Sequence, residues 1–220
     1  AQPPSVGPPV PREPAAAVAT GTGFVVAKGG YVLTCAHVVQ GAVAIALKST
    51  DGTLHKATVE AVDWPNDWCI LHAPSITSKP IPVAPVDGAH LGAVAYSIAY
   101  PLTGLLAATG PVVGSGHVAA LQGIGGDSRF IQVEFPINPG SSGSPILNEY
   151  GQWIAVASHR LDDITALRES GSLPQGVNFG IKAAALVPLI HTTTNVQMCQ
   201  EPPGIKYSLE KLTEKVSPSV

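Results

Sequence analysis

Charge is scarce in this chain of 220 residues. Only 12% of positions carry Asp, Glu, Lys or Arg, and the net charge is −3. A nucleic-acid binder advertises itself by a basic stripe, and none is present, so nucleic acid is excluded as a partner. Apolar residues make up 45% of the chain, yet no run reaches the roughly 18 residues that a membrane-spanning helix needs, because Gly, Pro or Thr breaks each one. The sequence therefore predicts no membrane span. Cysteine is limited to Cys35, Cys69 and Cys199, an odd number that cannot all pair and lacks the density of a disulfide scaffold. They read as buried thiols that behave as small hydrophobes. Seven histidines stand singly, without the i, i+4 or Cys/His spacing of a metal site, so neither a metal nor another cofactor is expected.

Glycine (23) and proline (21) are plentiful instead. Short β-rich runs punctuated by these residues indicate an all-β body, as in Gly21–Val26 and Tyr31–Val39 joined by Gly29-Gly30, and Ala93–Ile98 further on. Residues 1–16, rich in Pro, form an extended lead. Pro80, Pro82 and Pro85 mark a crossing between two halves, 17–89 and 90–195. Residues 196–220 form a tail with one or two amphipathic turns around Leu209–Lys215. The stretch Asp162–Ser170 has Ile164 and Leu167 at helical spacing and reads as a helical or irregular excursion.

The segment Asn138-Pro139-Gly140-Ser141-Ser142-Gly143-Ser144-Pro145 is the most informative. Gly, Ser, Asn and Pro also make ordinary surface turns. Glycines flanking a serine, however, let the backbone expose a hydroxyl while neighbouring N–H groups converge beside it. Such a serine needs a base and a group to orient that base. His37 stands out among the histidines because the small residues Cys35 and Ala36 precede it, leaving room for a second segment to approach. Asp67 stands immediately before the apolar run Trp68–Leu71, which would draw its carboxylate into a partly buried place where it needs a partner. Asp63, followed by Pro65 and Asn66, fits an ordinary turn better.

The order His37, Asp67, Ser142, each in its own context, resembles the trypsin-like (chymotrypsin-fold) serine peptidases, and within them the HtrA/Deg branch. The resemblance rests on Gly21–Val26, Val32–Val39, Asp67–Leu71 and Ile137–Asn148, with weaker echoes at Gly151–Val156 and Val177–Ile181. It implies two packed antiparallel six-stranded β-barrels. It also implies a peptidase in which His37 is general base and acid, Asp67 holds its tautomer and Ser142 is the nucleophile, with an oxyanion hole at Gly140, Ser141 and Ser142. Protein or peptide would be the substrate. By the same resemblance, Pro136, Ile137 and Asn138 form the base of the primary pocket and Ala157, Ser158 and His159 one wall. With no acid at the base, that pocket would favour aliphatic or small side chains over Arg or Lys. The branch commonly adds a PDZ domain, for which the tail is too short; the tail would contact a partner subunit in a homo-oligomer instead. Three departures stand out: Ser141 in place of the usual Asn, Ser144 in place of a second Gly, and Cys35 where Asn is common. A peptidase-fold module without activity, in which Ser144 misforms the oxyanion hole, is the alternative.

Overall fold

The computed structural model describes residues 19–100, 110–158 and 178–220. The Pro-rich lead, the stretch Asp162–Ser170 and His159 lie outside them. The first half is an antiparallel sheet of β1 (Phe24–Ala27), β2 (Tyr31–Thr34), β3 (Ile45–Lys48), β4 (Leu54–Asp63) and β5 (Trp68–His72), in the order β1-β2-β5-β4-β3. The second half is a closed barrel of β6 (Val94–Ala99), β7 (Val112–Ala120), β8 (Phe130–Val133), β9 (Pro145–Leu147), β10 (Trp153–Ser158) and β11 (Asn178–Lys182). The all-β double-barrel plan holds.

The first barrel differs in detail from the six closed strands expected. Among the described residues it has five and stays open. A reason lies at the outer edge of β1. Ile81 N–H reaches Val25 O at 2.8 Å and Cys199 N–H reaches Val26 O at 2.9 Å, single bonds from two separate segments. Pro80 and Pro82 flank Ile81 and have no N–H with which to extend a ladder.

The two halves share one apolar core. Phe24, Leu33, Trp68 and Ile70 from the first sheet pack with Trp153, Val156, Phe179 and Ile181 of the second. The Phe24 and Trp153 rings meet edge to face, with centroids 5.5 Å apart. Strand β10 is buried along its whole length, so its last residue, Ser158, is delivered deep between the halves.

Two helices follow. The first, α1 (Ala183–Thr193), occupies residues expected to continue the barrel, which instead ends at Lys182. Its local signals are mixed: Ala183-Ala184-Ala185-Leu186 favour a helix, but no side chain caps it and Pro188 sits inside. Burial of Ala183, Leu186 and Ile190 along one face overrides the unfavourable ones. The second, α2 (Leu209–Val216), starts at Ser208, whose Oγ accepts the Lys211 N–H, with Glu210 and Lys215 placed favourably for the helix dipole. No helix among the described residues is long and apolar enough to cross a membrane.

The tail turns its apolar face to its own chain. Leu212 and Val216 are buried in the shared core. Tyr207 N–H bonds Glu149 O at 2.8 Å, Gln152 Nε2 bonds Glu201 O at 2.8 Å, and Ser219 Oγ bonds Lys79 O at 2.6 Å. Leu212→Ala is therefore expected to cost about 2–4 kcal/mol of stability through the cavity it leaves. Urea unfolding checks this, and an unchanged midpoint would mean the tail is an independent arm.

Candidate active site

The loop bearing Ser142 runs from the end of β8 to β9. Its entry is held by Asn178, whose Oδ1 accepts the Ile137 N–H at 3.0 Å. Within it Gly140 and Gly143 both have φ of 89°, a region a side chain rarely adopts. At Gly143 space forbids one as well: a Cβ would lie 2.2 Å from Thr22 O and 2.3 Å from Thr34 Oγ1. The pattern of backbone donors is specific. Ser141 N–H bonds Asn138 O at 2.8 Å, Gly143 N–H bonds Ala157 O at 2.8 Å, and Ser144 N–H bonds Ser141 O at 3.0 Å. Gly140 and Ser142 N–H have no acceptor among the described residues. Ser141, expected among the oxyanion donors, is thus corrected: its N–H is already spent in closing the turn from Asn138.

Ser144 is fully buried and its Oγ lies 3.1 Å from Ser97 Oγ on β6. Its hydroxyl is accommodated inside the barrel, away from the loop's open side. Ser142 is 5% exposed, its carbonyl takes the Thr22 N–H at 2.9 Å, and its Oγ makes no hydrogen bond to His37 in this structure.

His37 lies just past β2, in a 3-10 turn over Ala36–Val39 rather than in the strand itself. Its backbone N–H donates to Asp67 Oδ1 at 3.0 Å, and its Nδ1 lies 3.0 and 2.9 Å from Oδ1 and Oδ2. Asp67 closes the turn before β5 at φ 53°, the only non-glycine with positive φ among the described residues. Asp63 is the last residue of β4, and its Oδ1 accepts the N–H of Asn66 in the turn that follows, at 3.1 Å. The Asp67 carboxylate also receives the Ser158 hydroxyl at 2.9 Å, from the far end of β10. Burial pushes its pKa up, but the hydrogen bonds and charge of His37 together with the Ser158 hydroxyl outweigh it and hold the carboxyl below the ordinary value.

Gly21 shows how the pieces meet. A Cβ there would lie 2.5 Å from Val38, next to His37, and 3.2 Å from Ser142 O. The histidine turn and the serine loop thus flank one glycine, and Oγ and Nε2 are left as the free ends of the set.

The residues assigned to a pocket divide. Pro136 and Asn138 are exposed, whereas Ile137 and Ala157 are 4% and 0% exposed and belong to the core of the second barrel. Ile137 follows the buried Phe135 by two positions, so the alternation of an extended chain turns its side chain inward. Ser158, expected at the pocket wall, is buried and donates its hydroxyl to Asp67. No sequence signal marked it beyond its place at the end of an unbroken apolar run.

The three cysteines are free thiols, Cys35 and Cys69 buried and Cys199 partly so. Cys35 Sγ, a ring nitrogen of His37 and the Asp67 carboxylate lie within 4.8 Å of one another, a set of metal-ligand types. Their chemistry does not suit a cation: Cys35 donates to Ala157 O at 3.3 Å, and burial, with Asp67 beside it, pushes its thiol pKa well up, while Nδ1 is held by the carboxylate. Burial raises Cys69 to about 12, so that thiol is inert too.

An open sheet and a closed barrel sharing a core, with a His–Asp pair on one and a glycine-flanked serine on the other, define a chymotrypsin-type double barrel. The chain belongs to the trypsin-like peptidase family, whose domain model matches residues 21–156. It is 37% identical over 182 residues to an uncharacterized protein, y4bJ, of Sinorhizobium fredii, covering 83% of this chain and 28% of that one. It is 32% identical to the putative serine protease HhoB of Synechocystis, covering 79% and 39%, and 27% identical to the serine endoprotease DegS of Haemophilus influenzae, covering 73% and 46%. The chain thus spans less than half the length of these relatives. Among solved structures, the serine endoprotease of Yersinia pestis superposes with a TM-score of 0.65 at 25% identity, over 81% of this chain and 59% of that one.

Proposed function

We propose that the chain is a serine endopeptidase that hydrolyses peptide bonds through His37, Asp67 and Ser142. One observation carries this reading: beside a His–Asp pair stands a serine loop in which the Ser141, Gly143 and Ser144 N–H groups are committed while those of Gly140 and Ser142 have no acceptor among the described residues. In the reaction His37 Nε2 takes the proton of Ser142 Oγ as oxygen attacks the scissile carbonyl. Asp67 keeps the Nδ1 proton in place and stabilises the imidazolium. The carbonyl oxygen, becoming an anion, is received by the two free N–H groups. His37 then protonates the leaving amine, and water hydrolyses the acyl-enzyme with the same groups in reverse roles. A fluorophosphonate probe tests this directly: covalent labelling of the folded protein is expected, and none at all would favour the inactive binding module.

Specificity follows from what the loop entry lacks. No acid stands at Pro136, Ile137 or Asn138, and the nearby Glu134 is exposed and paired with His117 at 2.9 Å. A cationic side chain would find no partner there. A fluorogenic peptide panel is expected to show preference for Val, Ala or Leu before the cleaved bond; equal or faster turnover after Arg would overturn it.

A further inference from the structure

Thr22 touches the serine loop more fully than any reading of the sequence suggests. Its hydroxyl donates to Gly140 O at 2.8 Å and accepts the Tyr100 N–H at 3.0 Å. Its own N–H bonds Ser142 O at 2.9 Å, and its carbonyl receives the Thr34 hydroxyl at 2.7 Å. Every polar atom of the residue is used, and Thr22 is 4% exposed.

The consequence is visible peptide by peptide. The unit joining Gly140 to Ser141 is pinned at both ends, its carbonyl by Thr22 and its N–H by Asn138 O. The unit joining Ser142 to Gly143 is pinned likewise, by Thr22 N–H and Ala157 O. The unit between them is held through its carbonyl by the Ser144 N–H. The peptide that supplies the Gly140 N–H has no partner of its own among the described residues. Its direction depends on what fixes the next unit along. A glycine at φ 89° has no side chain to hold it there, so the neighbouring carbonyl bond does that work. In the chain from Tyr100 N–H through the Thr22 hydroxyl to Gly140 O, the second bond is buried and the first partly so, and linked hydrogen bonds sheltered from water reinforce one another.

We propose that Thr22 is a positioning residue for oxyanion stabilisation: its hydroxyl, braced by the Tyr100 N–H, sets the orientation of the Gly140 peptide and so aims the Gly140 N–H at the developing charge. The proposal rests on the peptidase reading above. It assigns a role in turnover rather than in substrate binding, since the oxyanion exists only in the transition state.

Thr22→Val keeps the shape and removes the hydroxyl, whereas Thr22→Ser keeps the hydroxyl and removes a methyl. With T22V, kcat on a fluorogenic peptide is expected to fall about ten- to hundredfold with KM within about twofold, and the fluorophosphonate labelling rate to fall in step. T22S is expected to stay within about threefold of wild type. A purely structural role would lower the unfolding temperature without that split and without rescue by serine. Unchanged kcat in T22V, a rise in KM alone, or failure of T22S to restore turnover would each overturn the proposal. If T22V does not fold, T22A, which removes the same hydroxyl with less bulk, is judged by the same criteria. A wild-type protein that neither cleaves peptide nor labels would count against the peptidase reading itself, before any Thr22 variant is compared.

Discussion

Ser142→Ala is expected to erase both fluorophosphonate labelling and peptide cleavage, a loss in kcat that reaches about a million-fold in enzymes working through such triads. Ser141→Ala is the necessary companion. Its backbone N–H bond to Asn138 O survives the substitution, so the turn keeps its form and labelling should persist within about tenfold of wild type. The two serines are similarly buried, at 6% and 5% exposed, so accessibility does not choose between them. Both lie between Gly140 and Gly143, so what distinguishes Ser142 is that Gly143 follows it directly and that its own N–H has no acceptor among the described residues, whereas that of Ser141 bonds Asn138 O. Labelling lost in S141A and kept in S142A would move the nucleophile by one residue.

Asp67→Asn should lower kcat by about ten-thousandfold while leaving a folded protein. The amide can offer an N–H toward Nδ1, which favours the tautomer carrying its proton on Nε2, the wrong one for a base that must take a proton from serine. The same variant reports on stability. Because the folded protein holds the Asp67 carboxyl below its ordinary value, the ionised group contributes stability that is fully present above the unfolded-state pKa of about 4 and is lost as pH falls through the lower, folded value. The wild type should therefore be more stable than D67N near neutral pH, and the gap between their unfolding temperatures should narrow as pH drops below about 4. A gap that stays constant would mean that His37 and Ser158 do not hold the charged form.

Much of this arrangement could be read from the chain, and the reasons differ by residue. His37, Asp67 and the Gly140–Gly143 loop each sit where local chemistry forces a choice: small residues ahead of an imidazole, an acid at the mouth of an apolar strand, glycines around a hydroxyl. The strands around them follow from short, nearly unbroken apolar runs and from the Gly29-Gly30 turn. What could not be read depends on contacts between distant segments. Ser158 meets Asp67 across 91 positions, and Thr22 meets Gly140 across 118. The helix Ala183–Thr193 opens on good helix formers but continues past an internal proline because Leu186 and Ile190 are buried along one face. Ile137 and Ala157, assigned to a pocket by resemblance alone, pack into the core of the second barrel, Ala157 on a strand buried along its whole length. The open edge of the first sheet likewise depends on where Ile81 and Cys199 land, which no periodicity encodes.

The left-handed backbone at Asp67 also governs which amino acids the position can admit. Most side chains incur about 1–2 kcal/mol in that region, while Asn and Asp enter it readily. Asparagine can thus replace the carboxylate without disturbing the turn, and D67N isolates charge from conformation. Alanine or glutamate would add a backbone cost unrelated to chemistry. Among natural variants of this chain, exchange at position 67 should run mainly between the two short side chains of this kind, a restriction imposed by one dihedral angle of 53° before any demand of the imidazole is considered.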